Sequence, residues 1–294
     1  MRKNRESGQA LVLVLLSLSV VLTVVLFGLS RSVNDIGTST QQSDSVRAFS
    51  AAEAGIENAL ITGLSGSSTL DSSTSYDVQV TSGGSSTFNY QESLSSGSVM
   101  TLWFVSHDTN GNIVCDAAAG KPCFTGDSLR VCWGSDSSVS GYTPAIEVSV
   151  YYKASPASTD FSSVRVARAT YDPNSTRRAT ENSFDSAVIS SCDIGGKLYA
   201  FQKDITLSAL GGAGFNNTGL LFAKVRMLYN TTTAHPIGFS VSSGTLPVQG
   251  LEIYSTGVSG VGDTVSNRRI YVFQSWPEFP FSGLSIFYPD GVIK

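Results

Sequence analysis

The side chains that could do chemistry are few and widely spaced in this chain. The cysteines are Cys115, Cys123, Cys132 and Cys192, with intervening stretches such as CDAAAGKPC and CFTGDSLRVC and no Cys-x-x-Cys pair. Zinc sites usually draw on cysteines about two to four residues apart, because their thiolates must converge on one tetrahedron. The wider gaps favour disulfides, with buried thiols as the alternative and a metal as the least favoured one. Of the three possible connectivities, Cys115–Cys123 with Cys132–Cys192 is preferred. The stretch DTNGNIVCD, Asp108 to Asp116, offers alternating oxygen donors in Asp108, Asn110 and Asn112, as a calcium loop does. Its glycine is Gly111 rather than the residue after Asn112, and no glutamate occupies the twelfth position. Asn110-Gly111 between two strand-like runs reads more simply as a hairpin turn, which leaves Asp108, Asn110 and Asn112 a weak calcium candidate.

His107 and His235 are the only histidines, and there is no HExxH, Walker A or G-x-S-x-G pattern. His107 and Asp108 are adjacent, so on a strand they point to opposite faces and do not share a task. No catalytic residue and no cofactor is expected, and the chain reads as non-enzymatic. The basic pairs Arg177-Arg178 and Arg268-Arg269 read as solvated surface. The formal net charge of -4 and the lack of basic blocks argue against a nucleic-acid partner. Charged residues make up only 14% of the chain, below the roughly 25% of an ordinary soluble domain. Ser, Thr and Gly take their place.

The elements that must carry these residues begin with an uncharged stretch from Ala10 to Leu29. Twenty helical residues reach about 30 Å, the thickness of a bilayer core. Arg2, Lys3 and Arg5 precede it, which orients the start of the chain to the cytoplasm and the remainder outside. A discarded secretion signal has a shorter apolar region, followed by a small-residue cleavage site that is not seen here. An uncut anchor remains open. Farther on, SVRAFSAAEAGIENALITG places Val46, Phe49, Ala52, Ile56 and Leu60 on one helical stripe, with Glu53 and Glu57 beside it and Gly63 as a stop. The polar stretch between, SVNDIGTSTQQSDS, has poor helix propensity and is expected to break or stretch near Gly37.

This N-terminal arrangement resembles the type IV pilin superfamily. A short basic leader ends in Gly8, an apolar helix start follows, and AFSAAEAGIENAL, Ala48 to Leu60, is similar to the corresponding segment of PilX-type minor pilins. The resemblance covers about residues 1–62. It implies a cut by a prepilin peptidase between Gly8 and Gln9, with the apolar helix kept as membrane anchor and later packed against other pilins. It also implies a final place in a pilus on the cell surface, and contact with a surface or host ligand. Two positions depart from the major pilins: Gln9 replaces the usual Phe or Met, and Leu13 replaces the Glu that pairs with a neighbouring amine. A buried ammonium without a partner is costly, so Leu13 points to a minor subunit that primes assembly or sits near the tip. The alternatives are a pseudopilin of a secretion or DNA-uptake machine, and an uncut membrane-anchored protein with a β-rich binding head. A surface hydrolase is a distant further one.

The rest divides into a Ser/Gly-rich connection over 63–98, with YDVQV as a short strand, and a β-rich head over 99–294. Strand candidates are MTLWFVSH, NIVC, LRVCW, AIEVSVYY, VRVARATY, KLYAFQKDITL, LLFAKVRMLY, LEIYSTG, RRIYVFQS and LSIFY. In AIEVSVYY, Ile146, Val148 and Val150 alternate with Glu147 and Ser149, the mark of a half-buried strand. The expected class is α+β: a long N-terminal helix over 9–62, membrane-spanning over about 10–29 and amphipathic over about 44–62, then an antiparallel sandwich-like head. A division of that head into two lobes is expected near 172–191. The final SWPEFPFSGLSIFYPDG holds three prolines and five aromatics, suited to packing on the head or to an exposed adhesive patch.

Overall fold

The structure, a computed structural model, describes residues 7–81, 84–108, 110–157, 161–212, 214–262, 265–276 and 278. The chain forms two compact units, Met1–Val80 with Ile253–Val272, and Thr81–Glu252 with Phe273–Lys294. Helix α1 spans Ser7–Thr62 without a break. The expected interruption at Gly37 does not occur. The hydroxyls of Thr38 and Thr40 donate to the carbonyls of Asn34 and Ile36, so these side chains bond within the helix instead of competing with it. Gly63 ends the helix with φ 67°, and its N–H donates to the Ala59 carbonyl at 2.8 Å. Only glycine takes that left-handed conformation at little cost.

The strands follow in chain order. They are β1 (Gly66–Thr69), β2 (Thr74–Thr81), β3 (Thr87–Asn89), β4 (Val99–Trp103), β5 (Ser106–His107) and β6 (Ile113–Val114). Next come β7 (Ser128–Trp133), β8 (Ala145–Lys153), β9 (Val164–Asp172), the short helix α2 (Ser175–Arg177), β10 (Asp185–Ser186) and β11 (Val188–Ile194). The last are β12 (Lys197–Thr206), helix α3 (Leu207–Gly211), β13 (Leu220–Leu228), β14 (Ile237–Val241), β15 (Gly250–Ser259) and β16 (Ser266–Ser275).

In the first unit, the sheet order is β1-β2-β15-β16. The 63–98 segment is therefore not a plain connection, since β1, β2 and β3 occupy much of it. Most of its Ser and Thr residues are exposed or half-buried, while Thr74, Tyr76 and Val78 share the buried face of β2 at 5%, 6% and 2% exposure. Two apolar side chains on one face suffice to seat a short strand whose other face is polar.

The second unit is a sandwich of two five-stranded sheets, ordered β10-β9-β8-β13-β4 and β11-β12-β7-β14-β3. Pairing within them is antiparallel apart from the short β10–β9 contact. The inward faces meet in one core that contains Leu102, Ile146, Val148, Val225 and Met227 from one sheet and Val131, Trp133, Phe201, Ile237 and Phe239 from the other. Ile146, Val148 and Val150 face inward as their alternation requires. The α+β class and the sandwich-like head are as the sequence indicates.

The expected division near 172–191 is not where the units separate. That segment is fastened to the second unit by a buried ion pair. Arg177 donates to Asp172 from Nε at 2.7 Å and from Nη2 at 2.8 Å, and both residues are nearly inaccessible. Arg177 is thus no solvated surface residue. Its remaining donors reach the carbonyls of Gly141 and Thr143, and its guanidinium lies 3.9 Å from the Tyr229 ring centre. Arg178 donates to the carbonyls of Asp172 and Pro173. Of the C-terminal candidates, LSIFY and everything from residue 279 onward lie outside the described residues.

Candidate assembly site on the N-terminal helix

The N-terminal half of α1 is apolar and exposed. A window within it has mean hydropathy 2.9 and none of it is buried in the protein, so the helix is long and apolar enough to cross a membrane. Apolar side chains from Leu11 to Leu29 are all more than half exposed, Leu13 among them at 65%. The few polar side chains are satisfied locally: Ser17, Ser19 and Thr23 donate to the carbonyls of Val14, Leu16 and Val20. In hydrocarbon, polar groups need such internal partners. Gly8 and Gln9 lie in the first turn of α1, and Leu13 one turn farther on.

The other half of the helix seats on its own sheet through small residues. Ala48, Ala51, Ala52 and Ala59 have no exposure, Gly55 is buried and Ile56 is 7% exposed. Close approach is required. A Cβ on Gly257 of β15 would collide with the Ala48 carbonyl oxygen and the Ala52 nitrogen. A Cβ on Gly55 would strike the Ser255 hydroxyl and the Tyr76 ring. Polar contacts at the rim fix the register: Asn58 Nδ2 donates to the Tyr76 hydroxyl at 2.8 Å, and Arg268 Nε to the Ser45 hydroxyl at 2.9 Å.

The stripe Val46, Phe49, Ala52, Ile56 and Leu60 is therefore split between two faces, and does not act as one surface. Ala52 and Ile56 face the sheet, while Val46, Phe49 and Leu60 are exposed at 61%, 47% and 42%. Glu53 and Glu57 are exposed as well. Three- and four-residue spacing identifies apolar residues, yet it passes over alanine and glycine, and these form the buried face here. The outward face of α1 is apolar along the N-terminal half, then mixed apolar and acidic beyond it.

The chemistry-bearing residues of the second unit are mostly committed to structure. Cys115 is bonded to Cys123, and Cys132 to Cys192. Asp108 Oδ1 accepts from the Asn110 and Asn112 N–H groups, and Oδ2 from Asn112 Nδ2 at 3.0 Å. These hydrogen bonds, that of the Asn112 side chain first, hold the Asp108 carboxyl below the usual aspartate range. Gly111 takes φ 80° in a hairpin that pairs Ser106 with Val114 and His107 with Ile113. Asp108 and Asn112 thus bond to each other where calcium would need both to point inward. No group of three or more His, Cys, Asp or Glu side chains fit to hold a metal occurs among the described residues.

His107 and His235 lie apart in the fold. Both are buried, and burial lowers the pKa of each. The Ser135 hydroxyl lies 3.2 Å from His235 Nδ1, and the Ser135 N–H donates to the same nitrogen at 3.4 Å. Asp136 is adjacent, but its Oδ1 accepts from the Ser138 N–H at 2.9 Å. The trio matches a hydrolase in residue type. Its bonds are those of a capped turn, with Nδ1 receiving the backbone donor. Sequence spacing of 100 residues between Ser135 and His235 concealed this contact. A cleft of about 260 Å³ near the start of β15 is lined by Phe88, Asn89, Gln91, Gln249 and Glu252 among others. Gln249 is spent on both backbone groups of Trp103, and Asn89 on Ile194 and Tyr199. Burial raises the Glu252 carboxyl.

No protein-family model matches the chain, and no curated protein or solved structure does so either.

Proposed function

We propose that the chain is a PilX-like minor pilin, a structural subunit of a type IV pilus that primes assembly or sits near the tip and contacts surfaces. One observation carries this reading most. A single uninterrupted helix joins a fully exposed apolar half to a half that docks on its own sheet through alanine and glycine. An ordinary anchor has no need of that continuity. A subunit that leaves the membrane and packs helix against helix does, since the apolar half must be covered by neighbours once lipid is gone.

In this reading, the leader is removed between Gly8 and Gln9 by a prepilin peptidase. The new N-terminus stays in the membrane until other pilins take the place of lipid. Leu13 offers no carboxylate to a neighbour's amine, which suits a terminal position better than the shaft. A pseudopilin would share all of these features, and microscopy of the assembled product separates the two. An uncut anchored binding protein is separated from both by whether the Gly8–Gln9 bond is cut.

Incorporation tests the proposal. Pili sheared from the native host should contain the subunit at low stoichiometry, and its deletion should reduce pilus number or surface contact. Absence of the subunit from sheared fibres, with normal fibres in the deletion strain, would contradict it.

A further inference from the structure

The cleft of about 260 Å³ at the start of β15 contains a half-buried acid that the fold itself does not use. The residues that line it all belong to the second unit. One wall is formed by the chain between Ser85 and Gln91, the other by the chain between Leu246 and Glu252. Backbone hydrogen bonds tie the walls together: the Ser85 N–H donates to the Leu246 carbonyl at 3.0 Å, and the Leu246 N–H to the Ser85 carbonyl at 2.9 Å. Phe88 and Leu246, 9% and 1% exposed, supply its apolar part, and Phe88 packs on Phe239 of the core. Core and backbone contacts thus hold the cleft open without a ligand.

Glu252 differs from the other acids that are drawn out of water. Asp172 accepts from Arg177 and Asp204 from Arg130, whereas Glu252 has no hydrogen-bond or ion-pair partner among the described residues. Burial raises its carboxyl and no neighbouring charge lowers it. Withdrawing a carboxylate from water without a counter-charge is unfavourable, so the position stabilises nothing in the chain alone. Neutral polar groups with spare capacity stand in the same cleft. The hydroxyls of Ser85 and Thr87 lie 3.4 Å apart and each retains acceptor sites. Gln91 Nε2 donates to the Asn89 carbonyl at 3.4 Å, which leaves its amide oxygen available.

This set of groups defines a ligand. It needs a positive charge for Glu252, hydroxyls for Ser85, Thr87 and Gln91, and a compact carbon face for Phe88. The cleft is smaller than the roughly 300–1,000 Å³ of drug-sized sites, so the ligand is small. A hard metal ion is a poor occupant, because it gathers about six or more oxygens and Glu252 is the one carboxylate among the lining residues. A lysine side chain from another protein would bring the ammonium but none of the hydroxyls.

We propose that this cleft binds a small hydroxylated amine of the amino-sugar class, with Glu252 as counter-ion to its ammonium and Ser85, Thr87 and Gln91 meeting its hydroxyls. The proposal does not depend on whether the chain enters a filament.

The test is isothermal titration calorimetry of the full chain in non-ionic detergent, with glucosamine as the probe. N-acetylglucosamine serves as the uncharged comparator, and putrescine as an amine without hydroxyls. Glucosamine should bind at a single site, and each comparator at least about tenfold more weakly, since one lacks the charge-assisted hydrogen bond and the other the hydroxyl contacts. Glu252→Gln should weaken glucosamine by a similar factor, while Glu92→Gln, at an exposed acid outside the cleft, should leave it unchanged. Acidification should weaken binding from above the ordinary glutamate value near ~4.3, because a raised carboxyl takes up its proton early. No saturable heat with glucosamine at millimolar concentration, or equal binding of N-acetylglucosamine, would overturn the proposal. So would undiminished binding to folded Glu252→Gln protein. Binding of putrescine as tight as that of glucosamine would also overturn it, leaving a plain cation site. The comparison of ligands on the unaltered chain decides the matter even if the Glu252 variant fails to fold.

Discussion

Removing the guanidinium of Arg177 should destabilise the second unit more than any surface change of similar size. Asp172 is fully buried and accepts hydrogen bonds from Arg177 twice, from the Asn174 N–H at 2.8 Å and from Asn182 Nδ2 at 2.8 Å. Arg177→Ala leaves that carboxylate in place without its counter-charge, together with the unpaired carbonyls of Gly141 and Thr143. Breaking a buried pair from one side costs about 3–5 kcal/mol. For a unit of this size that is roughly 6–20 °C in Tm. Arg177→Lys should recover little, because an ammonium cannot span the carboxylate and two carbonyls that the planar fork reaches. The double change Arg177→Met, Asp172→Leu should cost less than Arg177→Ala, since no charge is left buried. Thermal unfolding of the detergent-solubilised chain, followed by fluorescence of the buried Trp133, reads all three variants. A drop below about 2 °C for Arg177→Ala would refute the reasoning, because no uncompensated buried charge costs so little. The pH dependence has a fixed sign. Burial alone would raise the Asp172 carboxyl, but the hydrogen bonds from Arg177, Asn182 and Asn174 outweigh it and hold the group below its ordinary value. The stabilisation is therefore complete above the unfolded value near ~3.9 and is lost as pH falls through the lower folded one.

Further perturbations separate the parts of the fold. Gly257→Val should loosen α1 from its sheet by about 1–3 kcal/mol or more, seen as faster hydrogen exchange across Ala48–Ala59. Gly37→Ala, with nothing within 4 Å of the added methyl, should be neutral or slightly stabilising. Replacing Cys132 and Cys192 by alanine opens a loop with sequence separation 60 and should cost about 4 kcal/mol on the chain-entropy argument. The same change at Cys115 and Cys123, separation 8, should cost about 2.5 kcal/mol, and denaturant unfolding of the two variants ranks them. His107 and His235 both have folded pKa values lowered by burial, so the unfolded chain binds more protons below its own value near ~6.5. Stability should therefore fall as pH drops from 7.5 to 5, and His107→Phe should flatten that fall.

Much of this architecture was legible in the residues themselves. The uncharged run to Leu29, the alternation of Ile146, Val148 and Val150, and the hydrophobic strands of the sandwich follow from periods that sequence displays directly. What escaped did so for physical reasons. Strand β1 has no apolar side chain, although it pairs with the neighbouring β2, and β3 is three residues long and held by β14, about 150 positions away, so no local pattern announces them. Strand β11 was hidden in a polar segment because most of it is exposed at the sheet edge. The docking face of α1 was missed because alanine carries almost no hydrophobic signal, and its role depends on Gly257, more than 200 positions from Ala48. Arg177 looked like surface because its partner Asp172 is recognisable only once the turn capped by Asn174 folds back.

The measurement that tests the central claim most directly is the mass of the N-terminal peptide of the protein taken from its native host, with and without the prepilin peptidase. A chain that begins at Gln9 only when the peptidase is present is the predicted result, with the apolar helix retained. A chain that keeps Met1 through Gly8 in both strains would contradict the account and leave a membrane-anchored binding protein in its place.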